Sequence, residues 1–148
     1  MTTTVMYETA ADLERELRTI NRFLAKYPGC TAEKLDRSFH HDFAILSPQG
    51  KTVLYVEVKQ RFAPRSKFKT YWIGESRLQR MSRVARRDGV HTLLLVEWED
   101  ALGHVDPQYA LDNAEIKMGG RRDRNDERDL ERMAEFSYDL FTFIEEAK

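Results

Sequence analysis

One cysteine in 148 residues, Cys30, excludes an internal disulfide and any zinc site built on paired thiolates. A lone thiol reads more simply as a small loop or core residue than as a nucleophile. No apolar run approaches the roughly 20 residues of a transmembrane helix, so no membrane partner is expected. The polar start Met1-Thr2-Thr3-Thr4 lacks the basic-then-apolar shape of a signal peptide, and a cytoplasmic setting is expected. Also missing are a Walker loop, a dinucleotide glycine fingerprint and a nucleophile elbow, which removes the commonest nucleotide-binding and serine-hydrolase readings. There is no internal repeat and no low-complexity tract. At 148 residues, 41% hydrophobic and 33% charged, the chain reads as a single domain, 1–148, able to bury a sizeable core.

The net charge of −1 conceals an asymmetry. Between Lys51 and Val90 stand eleven Lys or Arg and three Asp or Glu, a balance of +8, so the remainder carries −9. A basic segment of that kind suits an approaching polyanion, while acidic flanks favour solubility. The bland alternative is a solvated basic helix face.

That segment is built on Val53-Leu54-Tyr55-Val56-Glu57-Val58-Lys59-Gln60-Arg61, an apolar strand carrying a carboxylate and an ammonium two residues apart. Side chains at i and i+2 share a strand face, so Glu57 and Lys59 point one way and Leu54, Val56 and Val58 the other. His41 to Leu46 predicts a second strand, and the turn chemistry of Ser47-Pro48-Gln49-Gly50-Lys51 predicts an antiparallel hairpin. Such pairing brings Asp42 close to Glu57 and Lys59.

The helical spacing of Leu13, Leu17, Ile20, Phe23 and Leu24 predicts a helix from Thr9 or Ala10 to Lys26, ended by Pro28-Gly29. Glu16 lies beside its apolar stripe and is the carboxylate best placed to look inward, or else a boundary residue reaching solvent. Cys30 to Ser38 reads as an irregular link, and Arg61 to Thr70 as a surface loop. In and after that loop, Phe62, Phe68, Tyr71 and Trp72 interleave with Arg61, Arg65, Lys67 and Lys69, a mixture that suits phosphate contacts and base stacking, or core anchoring. Gly74-Glu75-Ser76 opens a second helix, with Leu78, Met81, Val84 and Ala85 in one stripe and Asp88-Gly89 as its stop. Arg77 stands at the margin of that stripe, within reach of the acid site, and Arg80 is a further phosphate contact. Arg83 and Arg87 are expected in solvent. Val90 to Trp98 reads as a buried strand joined through a right-handed crossover. The last third predicts a short extended piece between Tyr109 and Met118, a charged loop from Gly119 to Asp129, and helical spacing at Leu140, Phe141 and Ile144 within Tyr138 to Ala147.

Asp42, Glu57 and the carbonyl of Val58 together offer hard oxygen ligands to Mg²⁺, with Mn²⁺ as a substitute. An ion there acts as a Lewis acid on a phosphate ester and acidifies water. Lys59 then orients water or, the safer assignment, offsets charge developing on the phosphate, and Glu16 completes the acid cluster.

An Asp strand and a Glu-x-Lys strand after a helix with an inward Glu, followed by a helix with Arg and a buried strand, resemble the PD-(D/E)XK nuclease superfamily. Asp42, Glu57, Val58 and Lys59 match its signature, although His41 stands where the motif has proline. The resemblance runs from about Ala10 to Trp98, and the tail around Gly119-Gly120-Arg121 is similar to that of small phage-type nucleases. It implies an α/β restriction-endonuclease-like core, a mixed central β-sheet flanked by helices in the order αβββαβ. It also implies a metal-dependent phosphodiesterase acting on DNA, with structure or end recognition favoured because no separate sequence-reading domain is recognisable. One site cuts one strand, so a double-strand cut requires a homodimer or two visits. The alternative is a non-catalytic nucleic-acid-binding module on the same fold.

Overall fold

The computed structural model describes residues 10–36, 41–120 and 130–146. Strands β1 (Thr31–Lys34), β2 (Phe43–Leu46), β3 (Thr52–Gln60), β5 (His91–Trp98), β6 (Ala101–Val105) and β9 (Thr142–Glu146) form one mixed sheet in the order β1-β2-β3-β5-β6-β9. Strands β4 (Thr70–Gly74), β8 (Leu130–Ser137) and β7 (Glu115–Gly120) form a smaller antiparallel sheet. Helices α1 (Ala10–Leu24), α2 (Glu75–Asp88) and α3 (Pro107–Asp112) complete the chain. The α/β class and the flanked mixed sheet are as expected, and α1, β1 to β3, α2 and β5 give the αβββαβ order with β4 inserted before α2.

Alternation along the strands divides the core in two. Val56, Val58, Leu95 and Leu102 turn toward α1, where Ile20 and Phe23 meet Phe43 and Ile45. Leu94, Val96 and Trp98 turn the other way, onto Leu78 and Met81 of α2, Ala110 of α3 and Tyr71 and Phe136 of the small sheet. Each large side chain buried this way contributes about 1.5–3 kcal/mol before entropy is counted. The α1 stripe is only partly used: Ile20 and Phe23 are buried, whereas Leu17 is exposed. Cys30 packs against the α1-side cluster.

The β2–β3 hairpin turns where Pro48 and Gly50 predict, with Gly50 at φ +83° and its amide donating to the Ser47 carbonyl. Strands β3 and β5 pair in parallel from Leu54↔His91 to Gln60↔Glu97, the arrangement expected of strand, helix, strand. Gly89, left-handed at φ 64°, closes α2 by donating to the Ala85 carbonyl.

Four expectations change. The link after Cys30 contains β1, paired with β2 from Thr31↔Leu46 to Lys34↔Phe43; as an edge strand reading Thr-Ala-Glu-Lys it lacks an apolar signature. The chain end is not helical. A 3₁₀ turn at Tyr138–Leu140 leads into β9, because Phe141 and Phe143 alternate into the cluster around Trp98 while Ile144 packs on the α1 side. Between Tyr109 and Met118 the chain first finishes α3, started by Pro107 and by Asp106 accepting from the Tyr109 amide, and only then extends as β7. Gly119 and Gly120 belong to that strand rather than to the expected loop, the rest of which lies outside the described residues.

Strand β9 approaches β6 closely at Gly103, where a Cβ would sit 2.9 Å from Phe143 Cδ1 and 3.3 Å from the Thr142 carbonyl oxygen. Gly103→Ala is expected to lower stability by about 1–3 kcal/mol. A urea unfolding midpoint equal to that of the wild type would contradict this.

Candidate active site

The register Phe43↔Val56 leaves Asp42 just before β2, level with Glu57 of β3. Asp42 is held there by backbone on both sides: its amide donates to the Val56 carbonyl at 3.0 Å, and its Oδ2 accepts from the Val58 amide at 2.7 Å. The N–H and C=O of an extended residue face the same side, so the Val58 carbonyl lies along the edge that Asp42 occupies. His41, which stands where the signature has proline, is buried with its ring stacked on Tyr55 at 5.5 Å.

Glu57 and Lys59 share the face turned toward α2. Glu57 is only 5% exposed, and its Oε2 lies 2.8 Å from Arg77 Nη1 and 3.5 Å from Lys59 Nζ. Burial raises the Glu57 carboxyl to about 7, the neighbouring Asp42 charge pushes in the same direction, and Lys59 and Arg77 oppose it. At neutral pH this carboxyl is poised between its protonated and charged forms. A buried carboxyl that resists ionisation beside a second carboxylate suits a hard divalent cation, which replaces repulsion between them with attraction. Among the described residues no group of three or more Asp, Glu, His or Cys is arranged around such a position. The available donors are Asp42, Glu57 and the Val58 carbonyl, leaving the remaining positions to water and phosphate oxygens.

Glu16 comes to the site through an intermediary. Its Oε1 lies 3.0 Å from Lys34 Nζ, and the same ammonium lies 3.6 Å from Asp42 Oδ1 and over the Phe43 ring. Sequence reasoning misses Lys34, because the edge strand that carries it has no recognisable pattern.

Of the six basic residues expected to meet nucleic acid, Arg77 joins the acid cluster through Glu57. Arg61, just past β3, lies over the Tyr71 ring at 4.5 Å and donates to the Trp72 carbonyl. Arg65 has its amide on Asp100 and its guanidinium over Phe143. Lys67 lies over Phe68, while Lys69 and Arg80 are exposed, Arg80 donating to Ser76. Arg83 and Arg87 are exposed as expected, Arg87 paired with Asp88.

Among solved structures, Hjc, a Holliday junction resolvase from the archaeal hyperthermophile Archaeoglobus fulgidus, matches with a TM-score of 0.52. The match covers 85% of this chain and 86% of that one at 14% identity, a likeness of fold. No curated protein matches. The family model described as "Phage putative PDDEXK endonuclease" matches residues 2–144, nearly the whole chain. The fold, the strand-borne Asp and Glu-x-Lys, and that match agree, and the chain belongs to the phage PDDEXK endonuclease family of metal-dependent DNA nucleases.

Proposed function

We propose that this chain, as one domain acting in the cytoplasm, cuts DNA internally at branched or otherwise irregular structures with Mg²⁺ or Mn²⁺ as cofactor. The observation that carries this reading is the convergence of Asp42, Glu57 and Lys59 on a buried strand end beside the basic segment. Asp42, Glu57 and the Val58 carbonyl hold the ion, which when bound supplies Lewis acidity toward the phosphate and acidifies water. Lys59 stands beside Glu57 to offset charge building on the phosphate. Arg77 restrains the Glu57 carboxylate. Lys34 couples Glu16 to Asp42, so Glu16 acts on the orientation of that carboxylate. Structure selectivity is supported by the fold shared with a Holliday junction resolvase.

The test is cleavage of labelled single-stranded, duplex, flapped and four-way DNA in Mg²⁺, Mn²⁺ or EDTA. Metal-dependent internal cutting, fastest on a branched substrate, is the expected result. Binding without cutting in either metal would replace the nuclease with a binding module. Equal rates on plain duplex would remove the structure selectivity.

The exposed arginines of α2 lead to a separate prediction. Replacing Arg80, Arg83 and Arg87 together is expected to reduce the salt dependence of DNA binding by about one unit of slope for each phosphate they neutralise. An unchanged slope would make them an ordinary solvated face.

A further inference from the structure

Beyond the end of β3 lies a cleft of about 380 Å³ that the acid cluster does not use, its walls including Arg61, Phe62, Phe68, Tyr71, Trp72 and Trp98. Its volume falls in the roughly 300–1,000 Å³ range of small-ligand sites. Three of its aromatic side chains are left in water, Phe62 at 79%, Phe68 at 56% and Trp72 at 38% exposure. Clustered aromatic surface of this kind, ringed by charge, marks a binding surface.

The charge around it is predominantly positive, although Glu135 accepts from Trp72 Nε1 and Thr70 Oγ1 and pairs with Lys117 at 2.7 Å. Arg61 lies over Tyr71, Lys67 over Phe68 and Lys117 over Trp72. Flat apolar faces interleaved with cations match a nucleotide, whose base stacks while its phosphate seeks positive charge. Beneath them Tyr71 and Trp98, both almost fully buried, form an aromatic floor. The position is also suitable: Arg61 follows Lys59 by two residues, roughly 7 Å along an extended chain.

We infer that this cleft receives one unpaired nucleobase of the DNA, held beside the phosphate that faces Lys59. The inference rests on the nuclease reading and deepens it. A base paired and stacked within a duplex has no free face to offer, whereas a nucleotide at a branch, flap or bulge does. The cleft therefore supplies selectivity for irregular DNA without reading sequence, since every base has a π-face. A protein segment would bring apolar side chains to the aromatics but leave the surrounding cations without phosphate.

The test uses duplexes carrying one unpaired 2-aminopurine, whose fluorescence is quenched on stacking, with Ca²⁺ present. Binding of the wild type is expected to quench the probe, and Phe68→Ala and Phe62→Ala to leave it bright. Both side chains are largely exposed, so neither variant loses core packing. In Mg²⁺ the ratio of cutting rates, unpaired-nucleotide substrate over continuous duplex, should fall about tenfold or more in Phe68→Ala, the size of one lost base stack. An abasic site at the unpaired position should reproduce that fall with the wild type. If quenching and rate ratio are the same in wild type and both variants while the wild type cuts, the cleft inference fails and the nuclease stands. If the wild type cuts nothing yet quenches the probe through Phe68, the nuclease reading fails and the cleft remains a base-binding site.

Discussion

Asp42→Ala is expected to lower metal-dependent cleavage by roughly 10³-fold or more, and Lys59→Ala by roughly 10²–10³-fold, the loss typical of one group that stabilises transition-state charge. The two variants should fail differently. Asp42 is a ligand candidate whose Oδ2 also accepts from the Val58 amide, so its removal takes away half the carboxylate pair and leaves that amide without its partner. Ca²⁺-dependent tightening of DNA binding should disappear with it. Lys59 lies 3.5 Å from Glu57 and is no metal ligand, so without it Ca²⁺ should still tighten binding while the single-turnover rate collapses. Their pH profiles should also separate: Asp42 raises the Glu57 carboxyl and Lys59 lowers it, so Asp42→Ala moves that titration down and Lys59→Ala moves it up. Single-turnover cutting of labelled branched DNA measures both. Wild-type rates in the two variants would reduce the cluster to an ion pair worth about 0–1 kcal/mol.

How much of this site is legible in the sequence depends on how local its determinants are. Asp42 and Glu57 fall together because a strand periodicity and a Pro-Gly turn, both local, fix a hairpin register, and the register found is the one required. Arg77 is legible for a similar reason, since a helical wheel places it at the edge of the stripe led by Leu78 and Met81. Lys34 is not legible. It sits on a four-residue edge strand that exists because β2 offers an open hydrogen-bonding edge, a tertiary fact with no sequence period behind it. The small sheet escapes likewise: Tyr71 and Ile73 alternate correctly, but their partners Phe136 and Ala134 come from a strand more than sixty residues later. At the chain end, Leu140, Phe141 and Ile144 fit a helix and Phe141 and Phe143 fit a strand. The aromatic cluster around Trp98 decides between them, because only an extended chain delivers Phe143 to it. That cluster also supports one wall of the aromatic cleft, so the elements least visible in the sequence shape the surface next to the acid site.

Glu57 makes the stability of the metal-free protein depend on pH in an unusual direction. Its carboxyl rises from the ordinary 4.5 to about 7 on folding, mainly through burial and secondarily through Asp42. Between those two values the folded protein holds a proton that the unfolded chain has released. The associated stabilisation is therefore fully present below about pH 4.5 and is lost as pH rises through 7, amounting to about 3 kcal/mol over the interval. The carboxylates Glu75, Asp88, Glu135 and Glu145 are shifted downward by their partners, so they act at lower pH and leave this window alone. His104, lowered by burial, works with the opposite sign, which makes comparison with a variant essential. Urea unfolding in EDTA from pH 5 to 8 should show wild-type stability falling, and Glu57→Gln should remove most of the fall. If Glu57→Gln retained the wild-type slope, Glu57 would not be the group that titrates. A divalent cation bound between Asp42 and Glu57 must displace the same proton, so its affinity should rise about tenfold per pH unit from 5 to 7 and level off above. A site with these properties is least stable at the pH where it binds its ion best, and the ion restores what ionisation of Glu57 removes.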